Sequence, residues 1–540
     1  MFDQMIHHQT AVIQQFTDSR AQVVAASRFF NNDRIEVDAL IQAHREACRA
    51  RCEQICKQGG ETPSETPSET PSETPSETPS ETPSEEPRTE EVHLLAIQDT
   101  TEINVESNRG RLNGPESERP DPDLGPVGHN PHAGFFLHPT LALDATTGLV
   151  LGFADVEVWN RDWDKKDKHE RAYLMQPVDE KESARWIRAS ERAADTLAAA
   201  DRVTIIADRE ADIYAEWATV PRDGVDVLIR ARGDRRIVPI PPNPAPEGST
   251  LEGSTLEGST LEGSTLEGST LEGSTLEGST PDARAAPQAA PQAAPATTVK
   301  AALETEPVRF EYALEVSGTN GRTPRTATMA GRFRPVEIRK PRSNHQAPDL
   351  PATVPLWAIE VREVSPVPSG EEPIVWRLLT SRRIETVEAA RAAICDYAMR
   401  PRIEQIFRLL KSEGLQVPRS QLTRGAALKR LTLLALAVAG VLMQLVEGRS
   451  GAAGQEPAGW VFTPDAQAYM ERRQSNLEGQ AAAQTCPHRA GTLAWGSWIV
   501  GRLGGWKGVP SADPPGPITM RRGLERLHQE LTGWLMAQSP

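Results

Sequence analysis

Two short, nearly unbroken apolar runs end abruptly in an aspartate. His93-Leu-Leu-Ala-Ile-Gln precedes Asp99-Thr-Thr, and Val203-Thr-Ile-Ile-Ala precedes Asp208-Arg-Glu-Ala-Asp212. Runs of this length, closed by polar residues, predict buried strands. Each aspartate then stands at a strand tip, with strand-like Ile103 to Val105 following the first and a helix following the second. Ligands of α/β sheets gather beyond strand ends, which makes both tips candidate sites. Capping the next helix is the ordinary alternative for a strand-end Asp; it suits Asp212 and suits Asp99 and Asp208 less.

The same patterning divides the rest of the chain. Residues 1–59 are helical in pattern, and 92–225 alternate strands with a helix near 180–200. A hairpin is expected where Phe135 to Leu143 and Leu149 to Trp159 are joined by Asp-Ala-Thr-Thr-Gly. Residues 226–375 mix strand-like runs such as Val227 to Arg230 and Leu356 to Val361 with polar loops, and 376–450 and 451–540 are mostly helical. The apolar run Leu431 to Val446 is sixteen residues long, short for a membrane span, so a buried core helix is expected. His44, Cys48, Cys52 and Cys56 form one helical stripe, but four ligands in a line cannot surround an ion tetrahedrally, so packing is the expected role.

Two stretches carry little to bury. Six Glu-Thr-Pro-Ser copies fill 61–84 within a 60–91 linker, and six Leu-Glu-Gly-Ser-Thr copies fill 251–280, followed by Ala-Pro-Gln-Ala units, all within 245–297. A five-residue spacing of Leu matches neither helix nor strand, so both arrays are expected to be disordered. They also account for the net charge of −16, which on its face argues against a nucleic-acid partner. Residues 61–91 hold ten Glu and one Arg, and 245–281 hold seven Glu and no base. Of 75 acidic and 59 basic residues, 58 of each therefore remain elsewhere. Deleting 61–84 is expected to leave the melting temperature nearly unchanged; a large drop in a thermal melt would mean that the repeats fold.

Candidate chemistry concentrates late in the chain. Tyr397, Arg400, Glu404 and Lys411 are spaced by three, four and seven residues, so a continuous helix would bring them to one face. Pro401 limits this picture, because the residue before proline is pushed out of helical geometry and proline favours a helix start. Glu404 and Lys411 are then expected on one helix, with Tyr397 and Arg400 approaching from the preceding turn. Between Tyr397 and Arg430 stand eight Lys or Arg against two Glu, a locally positive field. Three carboxylates from separate elements, Asp99, Asp208 and Glu404, suit hard Mg²⁺ or Mn²⁺. Two such ions are the usual device for in-line phosphoryl transfer. The chain has no GxxxxGK[ST], no HExxH and no paired CxxC sites, so the commonest competing chemistries lack their signatures.

In these residues the chain resembles the DDE transposases of the insertion-sequence-four family, the Tn-five-like group. The family's signature around its last acid is Tyr, two residues, Arg, three residues, Glu, six residues, Lys, which the quartet matches without a gap. The Asp99 and Asp208 segments resemble its first two acidic motifs, in the same order. Further likeness lies in Arg28-Phe-Phe-Asn-Asn, Glu180-Lys-Glu-Ser, Trp376-Arg-Leu-Leu-Thr, Ala490-Gly-Thr-Leu-Ala-Trp and Arg502-Leu-Gly-Gly-Trp. The resemblance implies an α/β fold with a ribonuclease-H-like catalytic core, a mixed sheet flanked by helices. A β-rich insertion interrupts this core, and helical N- and C-terminal regions flank it. It implies that Asp99, Asp208 and Glu404 bind two Mg²⁺ or Mn²⁺ ions, that Tyr397, Arg400 and Lys411 contact terminal phosphates, and that Trp376 stacks on a flipped base. A core tryptophan on the strand Val375 to Leu379 is the plain alternative for Trp376. The implied activity is cut-and-paste DNA transposition by a dimer acting on double-stranded DNA, both the terminal inverted repeats and the target.

The N-terminal region departs from the family. Its end-binding helices precede the Arg-Phe-x-x-Asn-type segment, which here begins about thirty residues from Met1, so part of that region is expected to be missing. An inactive relic, or an inhibitor that pairs with a full-length transposase, is therefore one alternative. Another ribonuclease-H-like nuclease, which would share the acids without needing the Tyr-Arg-Lys grip, is the second. Five unpaired-looking cysteines and the lack of a signal peptide, lipidation motif or membrane span suggest a bacterial cytoplasmic, nucleoid-associated protein.

Overall fold

The computed structural model describes residues 5, 11–15, 17, 19–58, 91–105, 121–128, 132–163, 177–240, 296–318, 322–341, 349–412, 414–481, 484–509 and 511–538. Both repeat arrays lie outside the described residues. Helices α1 (Arg20–Phe30) and α2 (Val37–Gln58) come first, then strands β1 (His93–Gln98), β2 (Thr101–Asn104), β3 (Gly125–Val127), β4 (His132–Asp144) and β5 (Val150–Trp159). Helix α3 (Ala184–Thr196), β6 (Arg202–Ala207), α4 (Tyr214–Thr219), β7 (Val225–Arg230) and β8 (Arg236–Ile240) follow. Next are β9 (Ala296–Thr298), α5 (Val299–Glu304), β10 (Phe310–Val316), β11 (Arg325–Arg339), β12 (Thr353–Glu363) and β13 (Val375–Thr380). Seven helices end the described chain: α6 (Val387–Ala398), α7 (Arg402–Lys411), α8 (Gly425–Glu447), α9 (Gly451–Gln455), α10 (Pro464–Leu477), α11 (Leu493–Leu503) and α12 (Pro517–Gln538).

All thirteen strands join one mixed sheet flanked by helices. The order is β2-β4-β1-β6-β7-β13-β12-β11-β8-β9, with β3 and β5 on β4 and β10 on β11. Among the described residues, the β1–β6 and β6–β7 pairings alone are parallel. Strands from 226–375 therefore extend the same sheet, because β13 pairs with β7 on one side and β12 on the other. In the expected hairpin, Asp144 Oδ1 accepts the backbone N–H groups of Thr146 and Thr147, and Gly148 takes φ +75° to close the turn into β5.

The apolar runs of β1 and β6 are continuous because both faces are covered. Leu95, Ile97 and Ile206 join the core beneath α8, whereas Leu94, Ala96, Val203 and Ile205 join a second core beneath α2 and α3. Helix α8 is long and apolar enough to cross a membrane by composition, yet most of it is buried inside the protein. Arg430 donates to the Phe30 carbonyl at 2.7 Å, and Arg424 pairs with Asp33 at 2.8 Å, which ties the N-terminal helices to α8. The cysteine stripe faces inward: Cys48, Cys52 and Cys56 are buried against the second core, and His44 Nε2 lies 2.9 Å from the Leu433 carbonyl.

Candidate active site

Parallel pairing sets Ile97 of β1 beside Ile206 of β6, so two positions further on Asp99 and Asp208 stand at adjacent strand tips. At the first tip the chain breaks out of β1 into β2, and both strands pair with successive parts of β4. Asp99 Oδ1 steadies this break by accepting the Thr100 N–H at 2.8 Å. Asp208 Oδ1 accepts the Glu210 N–H at 2.8 Å and so opens the short 3₁₀ turn Arg209–Ala211. The cap is thus Asp208 itself. Asp212, for which spacing suggests that role, is buried instead as the partner of Arg235, whose Nε lies 3.0 Å from Oδ1, and of the Trp217 indole.

The quartet is split between two helices. Tyr397 lies in the last turn of α6, Arg400 in the tight turn that follows, and Glu404 and Lys411 on α7, with Pro401 at its N-terminal boundary. Tyr397 therefore belongs to the preceding helix and not to the turn before α7. The strong amphipathicity of α7 buries Ile403, Ile406, Phe407 and Leu410, and this leaves Glu404 facing the strand tips.

Three carboxylates converge on one guanidinium. Arg400 Nη2 lies 2.6 Å from Asp99 Oδ2 and 3.7 Å from Asp208 Oδ2, and its Nη1 donates to Glu404 Oε1. Burial opposes the charged guanidinium, but Asp99, Glu404 and Asp208 outweigh it and raise the Arg400 pKa further. Burial also pushes the Asp99 carboxyl up to about 7; Arg400 pulls it down, while Asp208 and Glu404 add to the rise. Crowded carboxylates of one sign behave this way until a cation relieves them. As the side chains stand, no three His, Cys, Asp or Glu groups among the described residues form a ready cage, and the Arg400 guanidinium pairs with all three carboxylates.

The remaining expected residues ring this centre at different depths. Tyr397 is buried, its hydroxyl is pushed up to about 12 by burial, and its ring meets Trp376 edge-on at 5.6 Å. Trp376 is half-buried on β13, on the face of the sheet that carries Leu378. Lys411 is half-buried near Glu102 and Asp99, and its ammonium is lowered by burial against their pull. Arg230, at the end of β7, joins the cluster through Tyr397 and Asp208 and is lowered chiefly by burial.

Behind the acids lies a polar chain that spacing does not reveal. Arg185 of α3 donates to Thr100 Oγ1 at 3.0 Å and to Glu210 Oε2 at 3.0 Å, so it clamps the loops that follow both aspartates. Thr100 donates to His138 Nδ1 at 2.8 Å, and His138 Nε2 donates to Gln98 Oε1 at 3.1 Å. Gln98 Nε2 then donates to Ser190 Oγ at 2.6 Å, and Ser190 donates to Glu216 Oε1 at 2.5 Å. Every link runs in one direction if His138 is neutral with its proton on Nε2. Its pKa, driven well below the ordinary value by burial and by Arg185, accords with a neutral ring. Hydrogen-bonded partners along this chain from Thr100 to Glu216 are 26 to 92 residues apart in sequence, so no local pattern links them. No protein-family model matches the chain.

Proposed function

We propose that this chain is a metal-dependent DNA strand transferase of the DDE transposase class, built on a ribonuclease-H-like core. The observation that carries the reading is the meeting of Asp99, Asp208 and Glu404, from two parallel strand tips and a helix, around one positive charge. A site that gathers three oxygen donors about a cation fits Mg²⁺ or Mn²⁺ in donor type. Asp99, Asp208 and Glu404 would hold two such ions, which would supply activation of an attacking oxygen and charge stabilisation of a leaving one in an in-line displacement at phosphorus. Arg400 then has a second task. Its planar fork leaves the carboxylates for a phosphate group, two of whose oxygens it matches in two-point geometry. Lys411, half-buried beside Asp99, adds a donor for the same strand, and Arg185 keeps both aspartate loops from separating as charge changes. Trp376 stands next to Tyr397 at the rim, which suits an aromatic platform for an unstacked base.

The test uses the full chain with Mn²⁺ and a pre-cleaved duplex carrying the inverted repeats that flank its reading frame. Joining of that duplex to a target plasmid is the expected result, with loss of joining in EDTA. A chain that binds the duplex and neither nicks nor joins it in Mn²⁺ would overturn the reading.

A further inference from the structure

On the face opposite Asp208 and Trp376, and at nearly the same level along the strands, the sheet carries a row of charge. By register, Asp208 lies one position beyond the Ala207–Ile229 pair, level with Arg230; Arg230 pairs with Leu378, Leu378 with Ile359, and Ile359 with Phe333. One position further out in the same direction, and on the opposite face of the sheet from Leu378, stand Arg377 of β13, Glu360 of β12 and Arg332 of β11 as direct cross-strand neighbours. Arg362, two residues beyond Glu360, shares their face. Three guanidiniums thus close on one carboxylate: Glu360 lies 2.6 Å from Arg377 Nε, 3.4 Å from Arg362 Nε and 3.7 Å from Arg332 Nη1. Glu360 is 1% exposed, whereas the arginine side chains are 27% (Arg332 and Arg377) and 35% (Arg362) exposed.

The charges do not balance. One buried acid pins three arginines in place, and a surplus of two positive charges faces solvent. A structural ion pair needs one arginine; a pre-set anion surface uses several, because the internal acid spends their flexibility in advance. With strands roughly 4.8 Å apart, the backbone of Arg377 lies about 10 Å across the sheet from that of Asp208 and the backbone of Arg332 about 19 Å, so a duplex reaching both would cross the strand-tip edge between the two faces. The span from Arg377 to Arg332, about 10 Å, covers about three steps of one DNA strand at 3.4 Å each.

We infer that Arg332, Arg362 and Arg377, held by Glu360, form a phosphate track that carries the backbone of duplex DNA toward the acidic site. The inference rests on the reading of this site as a DNA strand transferase and extends it by naming where the flanking duplex runs.

Binding of a radiolabelled duplex of 40 base pairs in EDTA, measured at several salt concentrations, separates the possibilities. The first variant combines Arg332→Gln, Arg362→Gln and Arg377→Gln with Glu360→Gln, so that no buried acid is left unpaired; its melt is recorded beside that of the wild type. It is expected to bind at least tenfold more weakly at 0.1 M salt, with the slope of log K against log salt shallower by about two. The second variant, Glu360→Gln alone, removes the internal competitor and is expected to bind several-fold more tightly with a steeper slope. That gain of function is readable even if the quadruple variant does not fold. If the wild type binds and joins DNA while both variants keep its affinity and slope, the track is wrong and the strand-transferase reading stands. If the wild type binds no duplex, both fall together.

Discussion

Replacing Asp208 or Glu404 with alanine is expected to lower Mn²⁺-dependent strand joining by roughly 10³-fold or more, since a metal-held charge contributes several kcal/mol at the transition state and about 1.4 kcal/mol is a factor of ten. The fold is expected to survive both changes. Asp208→Ala removes the acceptor of the Glu210 N–H and costs about 1 kcal/mol as a lost cap. Glu404→Ala leaves Arg400 paired with Asp99, so no buried charge is stranded. Arg400→Gln separates binding from chemistry. Without its guanidinium the three acids repel one another, so the variant should be less stable than wild type in EDTA and should gain more from Mn²⁺. Saturation at 100 times Kd gives about 2.7 kcal/mol of ligand stabilisation, readable as a rise in melting temperature. If Mn²⁺ leaves the melts of the wild type and of Arg400→Gln equally unmoved, the three acids are a structural charge cluster and the metal assignment fails.

What sequence could say about this site follows from how far each determinant reaches along the chain. Both strands that end in Asp99 and Asp208 are legible because burial writes a nearly unbroken apolar run, and a carboxylate closing such a run is conspicuous. The turn at Pro401 was legible as well, since proline acts on its immediate neighbours. Yet the same local rule did not tell that Tyr397 would lie in the last turn of a separate helix, α6, with its hydroxyl buried. Asp212 departs from its local pattern for a related reason: its spacing resembles a cap, while its partner Arg235 stands 23 residues on. Lateral order was the least legible part. That β13 bridges β7 and β12, and so brings Arg377 nearly level with Asp208, depends on strand pairing across more than 140 residues, and no periodicity within a strand encodes its neighbour. Single polar residues inside apolar elements, such as Gln98 and Ser190, give no hint that they meet.

The buried end of that polar chain makes its own demand on pH. Burial pushes the Glu216 carboxyl from 4.5 up to about 8, with the Ser190 hydrogen bond lowering it and Glu191 raising it. The folded protein therefore holds a proton on Glu216 that the unfolded chain releases above about pH 4.5. Between that pH and about 8 the unfolded state binds fewer protons, so stability falls as pH rises, and the loss is complete above about 8. At about 1.4 kcal/mol per pH unit, the loss across the window is roughly 4–5 kcal/mol. Glu216→Gln keeps an acceptor for Ser190 and removes the titration. Urea unfolding of both proteins at pH 5 and pH 8.5 isolates the effect, because every other ionisable group cancels in the difference. The Gln variant is expected to be close to wild type at pH 5 and more stable than wild type by several kcal/mol at pH 8.5. A difference that does not change with pH would mean that Glu216 ionises freely in the folded state. In that case the chain from Ser190 through Gln98 and His138 to Thr100 ends on a carboxylate, and Asp99 is backed by a charge.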